Sequence, residues 1–363
     1  MNWGLYISTA QHEQLSQRDV WNNSSEYCLL AEKLGYESVW LLEHHFTRYG
    51  LCGSPLTFAA YLLGLTKTIR VGTAVSVVPL EHPIRLAENV AMIDQLSSGR
   101  LIFGVGRGFF MKDFDVFGVD VKKNHLMLEE WTEIMIRAWK NGKVSSDHEL
   151  CKFPEVDVYP EPFTKPIPPV YVASSSPSRT EWAARLGLPM MIDYLNEDEE
   201  KKAQIDLYNE VAWAHGHDPM AISHMLSCIG FVGDEPDKVA LVRQNMVWWE
   251  NEFLRASKLF DPEYKDVKNY EYYHRQRETA KLSGNWLPEH RIERVLRLNP
   301  NGTPQQCIDR LNASLEGVNI GTVVMGFEAL AHPHLVKESI QRFKEEVAPH
   351  VQGASFVSEQ EAA

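Results

Sequence analysis

One carboxylate and two imidazoles stand side by side near the start of the chain, at Glu43, His44 and His45. The residues before them, 38–42, are almost entirely apolar, which predicts a buried strand that carries polar side chains at its C-terminal end. Because imidazole titrates near neutral pH, one of the histidines is a candidate acid, base or hydrogen-bond donor. Two other interpretations stay open here. Both histidines could be packing residues, or they could bind a metal, although neighbouring residues of a strand point to opposite faces and no His-x-x-x-His motif is present.

A second group of polar residues has the composition of an anion site. Arg107 follows one predicted strand, and the serines Ser174, Ser175 and Ser176 follow the next. Ser176 is placed to begin a helix with Pro177 in its first turn, so backbone N–H groups, hydroxyls and a guanidinium would converge. That combination suits a phosphate group. The alternative is an ordinary helix cap beside an arginine that pairs with a carboxylate.

Further candidates lie where other predicted strands end. Asp113 either caps a short helical run or holds His44 in one tautomer. Ala74 and Val75 offer small side chains where a flat ligand could approach the backbone, or where a barrel simply needs small residues. The corresponding ends of later strands carry Asp193, Tyr194 and Glu328.

Apolar segments that predict strands alternate regularly with segments that predict helices. The predicted strands cover residues 5–8, 38–45, 69–78, 100–105, 170–174, 190–194, 225–232 and 320–327. This alternation predicts an α/β fold with a single (β/α)8 TIM barrel over residues 1–350, whose active site lies at the C-terminal ends of the strands. A doubly wound open sheet is the alternative, but no Gly-x-Gly-x-x-Gly motif opens the first helix.

Two stretches break the alternation. Residues 141–169 are polar and proline-rich and predict a hairpin or another excursion from the barrel. Residues 257–301 are charged and aromatic without a period, which favours a long insertion that serves as an active-site lid; a disordered insertion is the alternative. The last residues, 351–363, predict a flexible tail.

Composition argues against several classes of function. The net charge is −13 and no basic stripe is present, so we expect no nucleic-acid partner. The five cysteines are odd in number and never spaced as Cys-x-x-Cys, which argues against a disulfide framework and a zinc knuckle. The sequence shows neither an apolar run long enough to cross a membrane nor a signal sequence. We therefore expect a cytoplasmic protein with no membrane partner.

Several longer motifs resemble one known family, and together they span nearly the whole chain. They lie at residues 39–47, 94–100, 112–114, 116–118, 180–184, 207–212 and 302–305. The first of them contains Glu43-His44-His45-Phe46. These motifs resemble the bacterial luciferase family of flavin monooxygenases, and most closely its α subunit.

The resemblance implies a flavin monooxygenase that receives reduced FMN (FMNH2) from a separate flavin reductase. With O2 the flavin would form a C4a-peroxyflavin, which attacks a small-molecule carbonyl substrate by aldehyde oxidation or by a Baeyer–Villiger-type insertion. The family dimerises through the region of residues 55–65, which implies a homodimer or a heterodimer with a β-like subunit.

The resemblance also implies roles for the candidate residues. Arg107 and Ser176 are expected to hold the FMN phosphate. His44 is expected to be the catalytic imidazole, with Asp113 as its neighbour in the pocket. His45 is then left to packing or hydrogen bonding, and no metal is expected.

A backbone feature and a loop are implied in the same way. A cis peptide bond is expected between Ala74 and Val75, against the isoalloxazine ring of the flavin. Residues 257–301 correspond to the mobile loop of the α subunits. Apolar walls that exclude water from the site are expected at Phe46, Phe109 and Phe110.

The chain departs from the family pattern near the expected cofactor. Gly106 stands where many α subunits have a reactive cysteine. Ser175 replaces a glutamate beside the phosphate, and Arg179 adds a cation there. Tyr194 and Ile192 replace tryptophans, and the loop positions Ser283, Asn285 and Trp286 also differ. We expect Ala74, Val75, Arg107, Ser174, Ser175, Ser176, Arg179 and Tyr194 to form the cofactor site.

These departures leave three alternatives to the monooxygenase hypothesis. The nearest is a true light-emitting alkanal monooxygenase. A second is a deazaflavin-dependent dehydrogenase built on the same barrel. A third is a flavin-binding relative without catalytic activity.

Overall fold

A computed structural model describes residues 1–257 and 288–352 of the chain. Its centre is a closed barrel of parallel strands. The barrel strands are β1 (Asn2–Ile7), β2 (Ser38–Leu41), β3 (Arg70–Thr73), β4 (Leu101–Gly106), β5 (Val170–Ser174), β6 (Met190–Ile192), β7 (His224–Ile229) and β8 (Ile320–Gly326).

The strands close on one another in chain order. Leu5 of β1 lies opposite Val39 of β2 on one side and opposite Met325 of β8 on the other. Every neighbouring pair around the ring is parallel, including β3 with β4 and β5 with β6. The predicted (β/α)8 barrel is therefore confirmed, and all C-terminal strand ends face the same side of the molecule.

Helices surround the barrel and follow its strands. They are α1 (Gln17–Lys33), α2 (Pro55–Leu65), α3 (Pro83–Ser97), α4 (Met111–Phe117), α5 (Asn124–Asn141), α6 (Pro177–Arg185), α7 (Asp198–Ala214), α8 (Pro236–Ser257), α9 (Pro288–Leu298), α10 (Pro304–Leu315) and α11 (Pro333–Arg342). Within the described ranges, no helix is long and apolar enough to cross a membrane.

Local sequence signals explain where several helices begin. Ser16 and Asp19 form a capping box at the start of α1, since the Ser16 hydroxyl accepts from the Asp19 backbone N–H and the Asp19 carboxylate accepts from that of Ser16. Thr303 and Gln306 do the same at α10. Both signals satisfy backbone donors that a helix otherwise leaves without partners.

Short elements lie outside the barrel. Strands Lys143–His148 and Cys151–Asp157 pair antiparallel, which confirms the predicted hairpin. The two-residue strand Phe231–Val232 pairs with Asn301–Gly302. Short turns of helix lie at Val78–Leu80, Pro219–Ala221, Glu328–Leu330, Phe343–Val347 and Ala348–His350.

The predicted lid and tail fall largely outside the described residues. Of the insertion 257–301, residues 258–287 are not described, and neither is most of the tail, 353–363. The described end of the insertion is more regular than its sequence suggests, because it contains α9. This helix was not predicted, because the insertion as a whole mixes charged and aromatic residues.

Two strands near the expected site are shorter than predicted. β2 ends at Leu41 rather than at residue 45, and the backbone N–H of His44 instead bonds to the carbonyl of Cys52 at 2.9 Å. The third predicted strand is split into β3 and the short strand Ser76–Val77 by a cis peptide bond between Ala74 and Val75. The cis bond implied by the resemblance is therefore present.

Thr73 joins β3 to β4 just before this break. Its hydroxyl donates to the carbonyl of Gly104 at 2.8 Å and accepts from the Gly104 N–H at 2.9 Å. The strands are so close that a Cβ at Gly104 would lie 1.9 Å from the Thr73 carbonyl oxygen. Glycine is therefore a requirement of the backbone at this position.

Gly104→Ala is expected to lower the free energy of unfolding by about 2–3 kcal/mol, because the new methyl group meets backbone atoms that cannot rotate away. Urea denaturation followed by circular dichroism measures the change. Gly64→Ala is the control, because no atom lies within 4 Å of a Cβ there and α2 gains a better helix former. Equal stability of the two variants would contradict the close approach of β3 and β4.

Candidate active site

Three buried polar groups gather where β2, β3 and β4 end. His44 follows β2, Ser76 follows the cis bond after β3, and Asp113 lies in the first turn of α4, after β4. All are less than a tenth exposed. In the part of the chain that the structure describes, both ring nitrogens of His44, the Ser76 hydroxyl and one Asp113 carboxylate oxygen have no hydrogen-bond partner. Buried polar atoms normally have partners, so these atoms are candidates for contact with a ligand.

Aromatic rings enclose His44. Its imidazole packs edge to face against Tyr49 at 5.0 Å and Phe110 at 4.7 Å between ring centroids. Tyr49 in turn stacks on Trp249 of α8 at 5.1 Å, and Phe253 packs on Tyr49 at 5.5 Å. The sequence indicated Phe110 but not Tyr49, Trp249 or Phe253, because only tertiary packing brings these three rings together beside His44.

Burial decides the charge of His44. Removal from water lowers its pKa to about 3, and the neighbouring His45 acts in the same direction. The imidazole is therefore neutral at physiological pH, with one nitrogen able to accept a proton and the other able to donate one. Asp113 makes no hydrogen bond to His44 in this structure, because neither His44 nitrogen has a hydrogen-bond partner among the described residues.

His45 is fixed by a carboxylate instead. Its Nε2 lies 3.1 Å from Glu43 Oε1, and the other oxygen of Glu43 accepts from the Val77 N–H at 2.9 Å. Burial lowers the pKa of His45, but the hydrogen bond to Glu43 and nearby carboxylates outweigh it, so the net shift is upward. The pair thus ties the loop after β2 to the short strand beyond the cis bond, and His45 is a hydrogen-bonding residue.

Asp113 belongs electrostatically to this pair. Burial raises its pKa to about 7, Glu43 adds to the rise, and His45 and Lys112 oppose it. The carboxyl group is therefore partly protonated near neutral pH and can donate a hydrogen bond. It does not cap α4, which has no side-chain cap.

The predicted anion site brings two guanidiniums together. Arg179, in the first turn of α6, is 8% exposed and pairs with Glu129 of α5 at 3.1 Å. Burial lowers its pKa to about 10, Glu129 raises it, and Arg107 lowers it further, which places Arg107 within electrostatic range. The Arg179 guanidinium lies over the ring of Trp182, with its central carbon 4.9 Å from the ring centroid.

The serines of this region differ in what they offer. Ser174 is buried, and its hydroxyl lies 2.9 Å from that of Thr180. Ser176 directly precedes α6 in extended conformation and makes no side-chain cap; its hydroxyl lies 3.3 Å from that of Ser178. Ser175 is half-buried between them. The positive end of α6 therefore begins among hydroxyl groups beside Arg179.

The mouth of the barrel, the side at which its parallel strands end, also holds Glu328 and Tyr194. Glu328 follows β8 and accepts from the Ser8 N–H, and burial raises its pKa to about 7 against the hydrogen bonds it receives. It lines a small cavity with His12 and Trp249 among others. Tyr194 is half-buried, and its carbonyl accepts from Asn299 at 3.0 Å.

Two residues beside the cis bond form a tight wall. Ala74 and Val75 pack against the cluster that fills the barrel, which includes Trp40 and Met225. A Cβ at Gly106 would lie 2.5 Å from a methyl group of Val75. Glycine at this position therefore lets β4 approach this wall.

The described residues show no group of three or more His, Cys, Asp or Glu side chains placed to hold a metal ion.

Comparison with known proteins gives a consistent picture. The family model described as luciferase-like monooxygenase matches residues 1–319. The chain is 38% identical over 356 residues to the alkanal monooxygenase alpha chain of the Kryptophanaron alfredi symbiont, covering 98% of this chain and 99% of that protein. It is 30% identical over 257 residues to the alkanal monooxygenase beta chain of Vibrio harveyi, covering 71% and 78%.

Solved structures share the fold at lower identity. The oxygenating constituent of 3,6-diketocamphane monooxygenase from Pseudomonas putida, a type II Baeyer–Villiger monooxygenase in complex with FMN, superposes with a TM-score of 0.76 at 18% identity, covering 98% of this chain and 99% of that one. An F420-dependent secondary alcohol dehydrogenase gives 0.75 at 20% identity, covering 97% and 99%.

The raised pKa of Asp113 makes a prediction about stability. A carboxyl group whose folded pKa is about 7 contributes stability below its unfolded pKa, near 4, and loses that contribution as the pH rises toward 7. Asp113→Asn removes this dependence. As the pH rises from about 5 to about 8, the free energy of unfolding of the natural chain should therefore fall relative to that of Asp113→Asn by at least about 1 kcal/mol.

Urea denaturation at several pH values measures this difference. Asp115→Asn removes an exposed carboxylate from the same helix and serves as the control. A constant difference between the Asp113 variant and the natural chain across the range would contradict the raised pKa.

Proposed function

The chain belongs to the luciferase-like monooxygenase family, and on that premise we propose that it is a two-component flavin-dependent monooxygenase. It takes reduced FMN and O2 and oxidises the carbonyl group of a small molecule. One oxygen atom enters the carbonyl product, the other leaves as water, and the flavin is oxidised. The observation that carries this proposal is His44, a buried neutral imidazole with two ring nitrogens that lack partners in the described protein.

Arg107 and Arg179 bind the FMN phosphate. Arg107 lies close enough to Arg179 to lower its pKa, so the two cations repel each other. An anion bound between them would relieve this repulsion. The start of α6 contributes its dipole and the hydroxyls of Ser175 and Ser176, and Ser174 supports them through Thr180. Glu129 holds Arg179 in position without neutralising both cations.

The residues at the mouth fit a flat ring system. Ala74 and Val75 form a wall of small side chains beside the barrel cluster, and Tyr194 lies at the end of β6 on the far side. The hydroxyl of Ser76 and the Asp113 carboxyl group supply unused hydrogen-bonding atoms. Reduced FMN, when bound there, supplies the two electrons that activate O2.

His44 moves the proton. As a neutral imidazole it can accept a proton from the reacting oxygen or from the tetrahedral adduct of the substrate, and return it as that adduct collapses. Burial keeps the ring unprotonated at physiological pH, so one nitrogen is open to accept a proton or a hydrogen bond, but a pKa of about 3 also makes it a weak base. The rings of Tyr49, Phe110 and Phe253 exclude water, which protects a reactive oxygen species from loss.

A light-emitting alkanal monooxygenase is the second candidate, and the similarity to an alkanal monooxygenase alpha chain over 98% of this chain favours it. Mixing the protein with reduced FMN, O2 and decanal, with and without a β-like subunit, tests it by photon counting. Darkness in both mixtures removes this candidate and leaves the monooxygenase proposal intact.

The proposed partners follow from the chemistry and the surface. A separate flavin reductase supplies the reduced FMN, as the resemblance to this family implies. The exposed face of α2 carries Tyr61 and Leu65 at 56% and 42% exposure, a surface that suits a subunit contact. We propose a dimer through this helix, either with a second copy or with a β-like subunit.

His44→Ala should lower product formation by about 100-fold or more, because the proton-transfer group is lost while the flavin site remains. Incorporation of isotopically labelled O2 into the carbonyl product measures it. His215→Ala, which changes an exposed histidine at the end of α7, should keep normal activity. Unchanged incorporation in the His44 variant would refute its role, and oxidation of substrate without label would indicate an F420-type dehydrogenase.

Arg107→Ala should weaken binding of reduced FMN by about 10- to 100-fold, because hydrogen bonds to a charged group are lost. Binding of reduced riboflavin, which lacks the phosphate, should change much less. Anaerobic fluorescence titration measures both. Arg185→Ala, at the other end of α6, is the control. Equal weakening for both flavins would show that Arg107 does not contact the phosphate.

A further inference from the structure

An open groove of about 410 Å³ leads from the surface to the two histidines. It runs between the loop after β2, the start of α1 and the end of α8. Its lining includes Gln11, Gln17, Thr47, Arg48, Gly50 and Arg255 as well as His44 and His45. Although the chain has a net charge of −13, the described lining contains no aspartate or glutamate.

Arg48 is the cation of this groove that has no ionic partner within residues 1–257 and 288–352. Arg255 is occupied by Glu252, with nitrogen–oxygen distances of 2.6 and 3.2 Å. His45 is occupied by Glu43 at 3.1 Å. Arg48 is exposed, its carbonyl accepts from the Gln11 N–H at 2.9 Å, and its guanidinium forms no ion pair with a described residue.

The inner end of the groove is His44. The loop after β2 closes on it so tightly that a Cβ at Gly50 would lie 2.7 Å from the imidazole carbon Cδ2. Both nitrogens of this buried ring lack partners in the described protein. The groove therefore connects Arg48, which forms no ion pair with a described residue, with the proposed catalytic imidazole.

We infer that this groove receives a carbonyl substrate with an anionic far end, such as an ω-oxo carboxylate, and that Arg48 binds the anion while the carbonyl group approaches His44. The inference rests on the proposed function and names its substrate class. Beside Arg48, the Thr47 hydroxyl and the exposed Gln17 amide supply further donors to a carboxylate.

Physical reasons favour an anionic chain over a plain alkyl chain here. A guanidinium binds a carboxylate through paired, charge-assisted hydrogen bonds. The net negative charge of the protein repels anions. A groove whose described lining contains no carboxylate is therefore a more favourable place for an anion to bind. An alkyl end would gain none of these interactions and would displace water from Arg48, which costs free energy.

Two probes of equal length test the inference: decanal and ω-oxodecanoate. Isothermal titration calorimetry with the full-length protein at low salt should show about 10-fold tighter binding of ω-oxodecanoate, because one charge-assisted contact is gained. Rising salt should reduce the difference. Arg48→Ala should abolish the preference, and Arg48→Lys should retain part of it.

Arg18→Ala is the matched control, because Arg18 is exposed on α1 next to Gln17 but does not line the groove. It should keep the full preference for the oxo acid. Equal affinities of the natural protein for the two probes, or a preference that survives in Arg48→Ala, would overturn the inference. An equal loss of the preference in Arg18→Ala would also overturn the inference, because the preference would then depend on net charge rather than on Arg48.

Turnover with labelled O2 separates this inference from the proposed function. If the oxo acid binds with an Arg48-dependent preference but no label enters it, the groove assignment stands and the monooxygenase proposal fails. If label enters both probes with equal kcat/KM and equal affinity, the monooxygenase proposal stands and the groove assignment fails.

Discussion

The burial of polar atoms without partners is the constraint on which the mouth of this barrel depends. A buried donor or acceptor that makes no hydrogen bond costs about 1–3 kcal/mol, and here His44, Ser76 and Asp113 all carry such atoms in the described protein. The same loss of water sets their charge, because it lowers the pKa of His44 to about 3 and raises that of Asp113 to about 7. A ligand that supplies the missing partners would recover this free energy, which supports the proposal that the mouth binds a ligand.

The surrounding structure holds these groups in place. Glu43 ties His45 to the backbone of Val77, so the loop after β2 and the segment beyond the cis bond move as one unit. Tyr49 and Trp249 stack at an angle of 11° and close the aromatic wall beside His44. Between two helices, Glu129 of α5 fixes Arg179 at the start of α6. The site is thus assembled from rigid elements that the barrel brings to one side.

Sequence analysis could predict the parts of this arrangement that depend on local patterns. The helix at residues 55–65 and the strand at 170–174 match the structure end for end, because apolar runs with clear capping signals leave few alternatives. The end of β2 at Leu41 and the helix α4 were not predictable, since tertiary hydrogen bonds set them. The Tyr49–Trp249 contact also had no signal, because it joins distant parts of the chain. The resemblance supplied the cis bond, which no periodicity could have indicated.

The charge of His44 is the most direct test of the account. NMR of isotope-labelled histidine, assigned with a His44→Ala variant, reports the protonation state of this ring as the pH changes. We predict that His44 remains neutral from about pH 8 down to about pH 5, since burial lowers its pKa to about 3, and that its resonances shift when FMN binds. Titration near the ordinary histidine value, or resonances that FMN leaves unchanged, would contradict the claim that His44 is a buried group at the flavin site.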